Sequence, residues 1–201
     1  MALPNHLKNT FTPAEIEFLT ENETITILPR YTMNGLDLIT DRIPKIRAMQ
    51  RVEVPIWFAL ILKSQRKCSI VPPVWLSQKE LMELYDFEIA EPESFSQLPK
   101  NWLEIAKLFF ENAPDDLTDE AHKLKSLVQD LKEIRLIKIK KGLKLLNESH
   151  LQLDNLSLME INEIRPFVVL AMSKLTKLNE AAVAEEGQGD GAEEYEYDDD
   201  E

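Results

Sequence analysis

The chain has 201 residues, 44% of them hydrophobic, 29% charged and 7% aromatic, with a formal charge of −13. That balance describes a soluble globular chain of one domain plus a small appendage, and it excludes a collagen, a disulfide-stapled mini-protein and a wholly disordered tract. Ten acids fall in the last seventeen positions, from Glu185 to Glu201, and the 184 residues before them carry 23 cations against 26 acids.

In chain order, Thr12-Pro13-Ala14-Glu15 opens a short helix: a capping hydroxyl, proline at the first helical position and a carboxylate at the third. Ile16 and Leu19 are expected to face inward. Thr24-Ile25-Thr26-Ile27-Leu28 alternates as a half-buried strand and ends at Pro29. Asn34-Gly35 is a turn signal before a second short strand, Leu36 to Ile39. Residues 1–53 therefore read as a small β-rich unit, followed by a helical unit over 54–182.

That helical unit starts at Pro55, where Ile56, Trp57, Ala59, Leu60 and Ile61 give a mostly buried helix ending near Gln65. Cys68 to Pro73 is extended, because each proline drives its predecessor out of the α region. Ser77 with Glu80 forms a capping box for a helix carrying Leu81, Leu84 and Tyr85. Asn101 with Glu104 offers a cap for one carrying Trp102, Ile105, Leu108 and Phe109. Between Asp119 and Asn147, Leu124, Leu127, Val128, Leu131, Ile134 and Ile137 recur at helical spacing. Ser157 with Glu160 caps a last helix whose face runs Leu158, Ile161, Ile164, Val168, Met172, Leu175 and Leu178, with Pro166 expected to bend it. Beyond about residue 183 the acidic, glycine-containing tail cannot bury enough apolar surface to order itself and is expected to be disordered. The fold class is thus mainly α, a helical bundle domain with a small β-rich N-terminal domain and an acidic tail.

The chemistry-bearing residues do not assemble into a reactive set. The body holds only Gly35 and Gly142, so neither a Walker A loop nor a dinucleotide fingerprint fits. His6, His122 and His150 lie far apart with no ligand partner at helical spacing, so no metal or cofactor is expected. Cys68, the lone cysteine, reads as a small buried hydrophobe in a reducing compartment, with a nucleophilic role the weaker alternative. Asp115-Asp116 reads as solvated or capping. No leader pattern is apparent, and Ile56–Leu62 is far too short to span a bilayer, so no membrane partner is expected.

Lys132, Arg135, Lys138, Lys140, Lys141 and Lys144 cluster late in the long helix. Cations are favoured at a helix C-terminus and no aromatic residues interleave them, so any DNA contact is expected to be weak or indirect. The wide apolar stripes of the last two helices suit burial against other chains, and an intramolecular bundle would use the same stripes.

Four blocks carry a resemblance: Met1-Ala2-Leu3-Pro4 with Phe11 to Phe18, Val52 to Trp57, Lys67 to Leu76, and Leu153-Asp154-Asn155-Leu156-Ser157-Leu158-Met159-Glu160-Ile161-Asn162. Together they resemble the Psf-two subunit family of the eukaryotic GINS complex, in order from Met1 to about Leu178. The resemblance implies a non-enzymatic nuclear subunit of a heterotetramer with three other GINS chains. It also implies a partnership with the minichromosome maintenance ATPase ring and a cell-division-cycle cofactor in the replicative helicase, where the ring hydrolyses ATP. Under it, Trp57 and Trp75 would anchor the helical domain, and Ser157 with Glu160 would fix the start of the last helix. Leu153, Leu156, Leu158 and Ile161 would make core or intersubunit contacts. The alternative is an acidic-tailed, chaperone-like adaptor for basic nuclear proteins.

Overall fold

The structure, a computed structural model, describes residues 10–39, 42–145 and 153–189. Helix α1 (Pro13–Thr20) opens with the expected reciprocal cap between Thr12 and Glu15. Ile16 is fully buried, but its second inward residue is Thr20, whose hydroxyl donates to the Ile16 carbonyl, and Leu19 is exposed. One helical turn separates Ile16 from Thr20, so both share the face that Leu19 leaves.

Strand β1 (Thr24–Pro29) is the centre of a three-stranded antiparallel sheet, between β4 (Val52–Pro55) and β5 (Cys68–Ile70). Ile27 lies opposite Val52 on one side and Ile70 on the other, which puts its side chain in the core. The outer strands are too short to show an alternating pattern, which is why the sequence showed only β1 clearly. The sheet therefore extends past the expected unit at 1–53, because its third strand lies at 68–70, beyond α2 (Ile56–Ser64).

The reversal from α2 into β5 uses no glycine. Arg66 takes a left-handed φ of 57°, while the amides of Arg66 and Lys67 donate to the carbonyls of Lys63 and Leu62. This is a Schellman turn, and it satisfies two carbonyls that the helix end would otherwise leave open. The buried side of α2 is Ile56, Phe58, Ala59 and Leu62; Ile61, expected on that face, is exposed.

The second strand is shorter than expected. β2 (Leu36–Asp37) pairs with β3 (Arg42–Ile43) in a separate ribbon, and Leu38 and Ile39 are exposed. Asn34-Gly35 lies inside that ribbon, after the Met33–Ile46 bridge, and no described glycine has a positive φ. Gly35 is needed for close approach instead: a Cβ there would sit 3.1 Å from the Ile43 carbonyl oxygen.

Four helices complete the chain: α3 (Gln78–Ala90), α4 (Trp102–Asn112), α5 (Ala121–Gly142) and α6 (Leu158–Gly189). Ser77 accepts from the Glu80 amide, the one half of the expected capping box that forms. At α4 the expected cap is absent: the Asn101 side chain donates to Glu23 instead. On α5 the inward stripe is Leu124, Val128 and Leu131, and Ile137 is exposed. Pro166 lies within α6, which the structure carries through to Gly189, past the Glu180 at which the apolar repeat stops. The rest of the expected disordered tail, 190–201, lies outside the described residues, as do His6 and His150.

The β-rich and helical parts share one core. Ile27 and Val54 of the sheet belong to the same buried cluster as Trp102, Phe109, Leu124 and Leu131 of the helices. Asp116 adds a polar tie. It is neither solvated nor a helix cap, because its Oδ2 accepts from both the Ile70 amide and Lys63 Nζ at 2.7 Å.

Candidate functional site

Along α5 the inward spacing of Leu124, Val128 and Leu131 continues to Arg135 and Lys138. Two cations therefore occupy positions on an apolar stripe. Arg135 is 0% exposed. Its Nε and Nη2 donate to the two oxygens of Glu160 on α6, at 2.7 and 3.0 Å. Nη1 donates to Glu88 of α3 at 2.6 Å and to Ser96 Oγ at 3.3 Å, and Nη2 also reaches the Asn155 carbonyl at 2.7 Å. All five guanidinium donors are thereby used.

Lys138 completes the set. Its ammonium donates to the other oxygen of Glu88 and to the carbonyls of Glu91 and Ser94 at 2.8 and 2.9 Å. Ser96 donates its amide and its hydroxyl to Glu88, at 2.9 and 2.6 Å. Two carboxylates and two cations balance inside the protein, which keeps the burial of each charge tolerable.

The titration of these groups follows from the same contacts. Burial pushes the Glu88 carboxyl up, yet the hydrogen bonds from Lys138 and Ser96 and the Arg135 charge together hold it below the usual value. Burial likewise works against the Arg135 charge, and Glu160 and Glu88 more than offset it, keeping the guanidinium above its ordinary value.

This network sits between two apolar clusters. The guanidinium lies 5.1 Å from the Phe95 ring and 6.0 Å from the ring of Trp102. Trp102 belongs to the main core; Phe95 packs on a second cluster formed by Ile139, Leu156, Ile164 and Val168. The polar set thus joins the base of α6 to the body. Two clasps assist it. Ser157 and Glu160 form the expected reciprocal cap, with Ser157 N to Glu160 Oε2 at 2.7 Å and Glu160 N to Ser157 Oγ at 3.2 Å. Asn162 mimics a strand edge toward the N-terminal segment, accepting from the Phe11 amide at 2.8 Å and donating to the Phe11 carbonyl at 2.7 Å.

From Phe167 the character of α6 changes: Val168 is the last buried side chain described, and Ala171, Met172 and Leu175 are half-buried, Met172 against the second cluster. Phe167, Leu170 and Leu178 are 56%, 57% and 68% exposed, and Val169 is exposed beside them. A firmly seated base therefore carries a continuation with one side, holding Phe167, Leu170 and Leu178, apolar and uncovered.

The residues singled out in the sequence divide accordingly. Ser157, Glu160 and Leu156 are buried at the base of α6, with Leu153 and Ile161 packed against the second cluster. Leu158 is half-buried, and its amide donates to the Lys100 carbonyl at 2.8 Å. Trp57 and Trp75 are half-buried against the main core, and the wholly buried tryptophan is Trp102.

Arg135 and Lys138, read as cations favoured near the helix C-terminus, are interior ion partners, leaving Lys132, Lys140, Lys141 and Lys144 of that set. Their placement could have been found from the apolar repeat that runs through them. Glu88 and Ser96 carry no local signal, since their role depends on the distant helix α5.

No group of three or more His, Cys, Asp or Glu side chains able to hold a metal occurs among the described residues. His122 is exposed and pairs with Glu120 at 3.5 Å. Cys68 is buried with its Sγ 3.7 Å from the Ala59 carbonyl oxygen; burial first, and then the negative charge of Asp116, push its thiol up to about 11. The thiolate is the reactive form, so iodoacetamide at pH 8 is expected to label native Cys68 roughly 100-fold more slowly than the urea-unfolded chain. Equal rates in the two states, followed by intact mass, would show that the thiol is accessible.

Comparison with known proteins bears on what this arrangement serves. Residues 12–71 match the family model described as the PSF2 N-terminal domain, and residues 75–179 match the GINS complex protein helical bundle domain. The chain belongs to the GINS PSF2 family. It is 55% identical over 191 residues to the DNA replication complex GINS protein PSF2 of Debaryomyces hansenii, covering 95% of this chain and 93% of that one. Identity to the protein of the same name from Candida albicans is 58% over 178 residues, covering 89% and 88% of the two chains. With that of Saccharomyces cerevisiae it is 48% over 200 residues, covering 91% and 94%. In this PSF2-family chain the first matched segment ends just after β5, and the second holds α3, α4, α5 and α6 as far as residue 179. The Arg135 network lies wholly in the helical bundle segment, whereas the shared core ties the two segments together and the Phe11 clasp holds the residue just before the first of them to α6.

Proposed function

We propose that this chain is a non-catalytic nuclear scaffold subunit of a GINS heterotetramer, joined to three other GINS subunits. Through that assembly it holds the minichromosome maintenance ring and the cell-division-cycle cofactor of the replicative helicase in their working arrangement. The observation that carries this reading is the uncovered apolar face of α6 on a base locked by buried ion pairs. Each exposed Phe or Leu there gains about 1.5–3 kcal/mol on burial against another chain, which favours association without any reactive group. Exposed Met82, Phe87 and Ile89 on α3 offer a second apolar area. The mechanism is differential binding: the subunit contacts the closed arrangement of its partners better than the open one, and so raises its population. Any contact with DNA falls to the four outlying lysines and is weak or indirect.

The test is reconstitution with the other three subunits and the ring, using the full chain and a form truncated after residue 183. A scaffold assembles and retains the ring in both forms. Loss of assembly with the tail would favour instead the chaperone-like adaptor for basic nuclear proteins.

A further inference from the structure

Near the network lies a third buried carboxyl, and its environment is the opposite of the other two. Glu104, at the third position of α4, is 5% exposed, yet neither carboxyl oxygen has a hydrogen-bond partner. The Asn101 side-chain oxygen three residues earlier is also buried without a partner. These are the N-cap and N3 positions, whose side chains normally serve the first amides of the helix. Trp102 Nε1, a donor in the same turn, is buried without a partner as well, so three unpaired acceptor oxygens face a single unpaired donor here.

The charges around Glu104 do not compensate it. Glu17 approaches from α1 and Glu160 from α6, both adding like charge. Lys132 of α5 is the cation that acts favourably on it, without forming an ion pair, and its own amide pulls in the same direction. The other cations nearby are committed: Lys107 of α4 to Glu17 at 2.8 Å, and Arg135 of α5 to Glu88 and Glu160. An isolated buried carboxylate is far costlier than the same group protonated, and a protonated carboxyl adds a donor to a turn in which unpaired acceptors outnumber donors. Burial first, and then the Glu160 charge, indeed push Glu104 above the usual carboxylate range.

We infer that Glu104 is held in the folded chain as the neutral acid, and that its proton makes the seating of α6 sensitive to pH. Glu160 is the link. It caps the first turn of α6 and receives the fork of Arg135. Ionising Glu104 sets a second negative charge beside it, opposing the contacts that lock the helix base.

The sign is fixed by the raised folded value. Relative to a permanently neutral side chain, Glu104 imposes no penalty below its unfolded value, near 4.5. The penalty grows as pH rises toward the folded value and is constant above it. Within that window the ratio of folded to unfolded chain falls by up to about 10-fold per pH unit.

The test compares the full chain with its Glu104→Gln variant in urea unfolding from pH 4.5 to 9, each purified together with whatever subunits accompany it. The two should match near pH 4.5, and the variant should gain stability over the parent as pH rises. A gap that does not change with pH, or a variant that loses ground as pH rises, would overturn the inference. Infrared absorption gives a second readout that needs no unfolding. In a pH titration the parent should show the carbonyl stretch of a protonated carboxyl, missing from the variant, that persists above the range in which exposed carboxyls ionise; its loss within that range would also overturn the inference.

Discussion

Replacing Arg135 with alanine is expected to destabilise the chain by about 3–5 kcal/mol, more than any substitution on the outer faces of its helices. The loss has little to do with the modest net worth of an ion pair. The replacement strands Glu88 and Glu160 in the interior, one held by Lys138 and Ser96 alone and the other by the amide of Ser157. It also withdraws the donor to the Asn155 carbonyl and opens a space between Phe95 and Trp102. Removing all four charged partners together, as Arg135→Met and Lys138→Met with Glu88→Leu and Glu160→Leu, should recover most of the loss, because no charge is then left unpaired. Urea unfolding of the three proteins measures both effects. A single-variant loss below about 1 kcal/mol would mean that water reaches this site. The depressed Glu88 carboxyl adds a pH signature of its own. Its contribution is complete above the unfolded carboxylate value and is lost as pH falls through the lower folded value, so the parent should show an acid-side loss that the quadruple variant lacks.

The second large effect is expected in assembly, with the fold intact. Phe167→Asp combined with Leu170→Asp places two charges on the uncovered face of α6, where the parent side chains make little contact with the rest of the chain. Stability of the isolated chain should change by no more than about 1 kcal/mol, as for other exposed helical substitutions. Association with partner subunits should weaken by about 100- to 1000-fold, the equivalent of losing roughly 3–4 kcal/mol of apolar burial. Circular dichroism checks the first expectation, and quantitative co-purification with the coexpressed subunits checks the second. Wild-type association by the double variant would exclude this face as an interface.

The contrast between these two sites explains what could be read from the sequence. Local signals were legible because their partners lie within one helical turn. Thr12 with Glu15 and Ser157 with Glu160 form the caps that their spacing announces. The long helices were equally visible from their apolar repeats. Pairing across the chain was not. β4 and β5 are four and three residues long and find each other only through β1. Asn101 and Glu104 have the right spacing for a cap, but long-range packing claims Asn101 for Glu23 and buries Glu104. Arg135 and Lys138 look like surface cations until their place on the Leu124, Val128, Leu131 stripe is counted, and their acceptors are supplied by α3 and α6, tens of residues away. The stripe legible on α6, Leu158 to Leu178, is for the most part its packed side; the exposed Phe167, Val169 and Leu170 lie off that stripe, and their exposure depends on which neighbours the folded chain provides.

The most direct test of the scaffold reading is the intact mass of the species recovered when the full chain is coexpressed with the three other GINS subunits, measured under native conditions together with hydrogen exchange along α6. A four-chain species with one copy of each subunit is expected, with the α6 segment beyond Val168 strongly protected only inside it. Recovery of this chain as a monomer indifferent to the other three, with that segment already protected, would contradict the account.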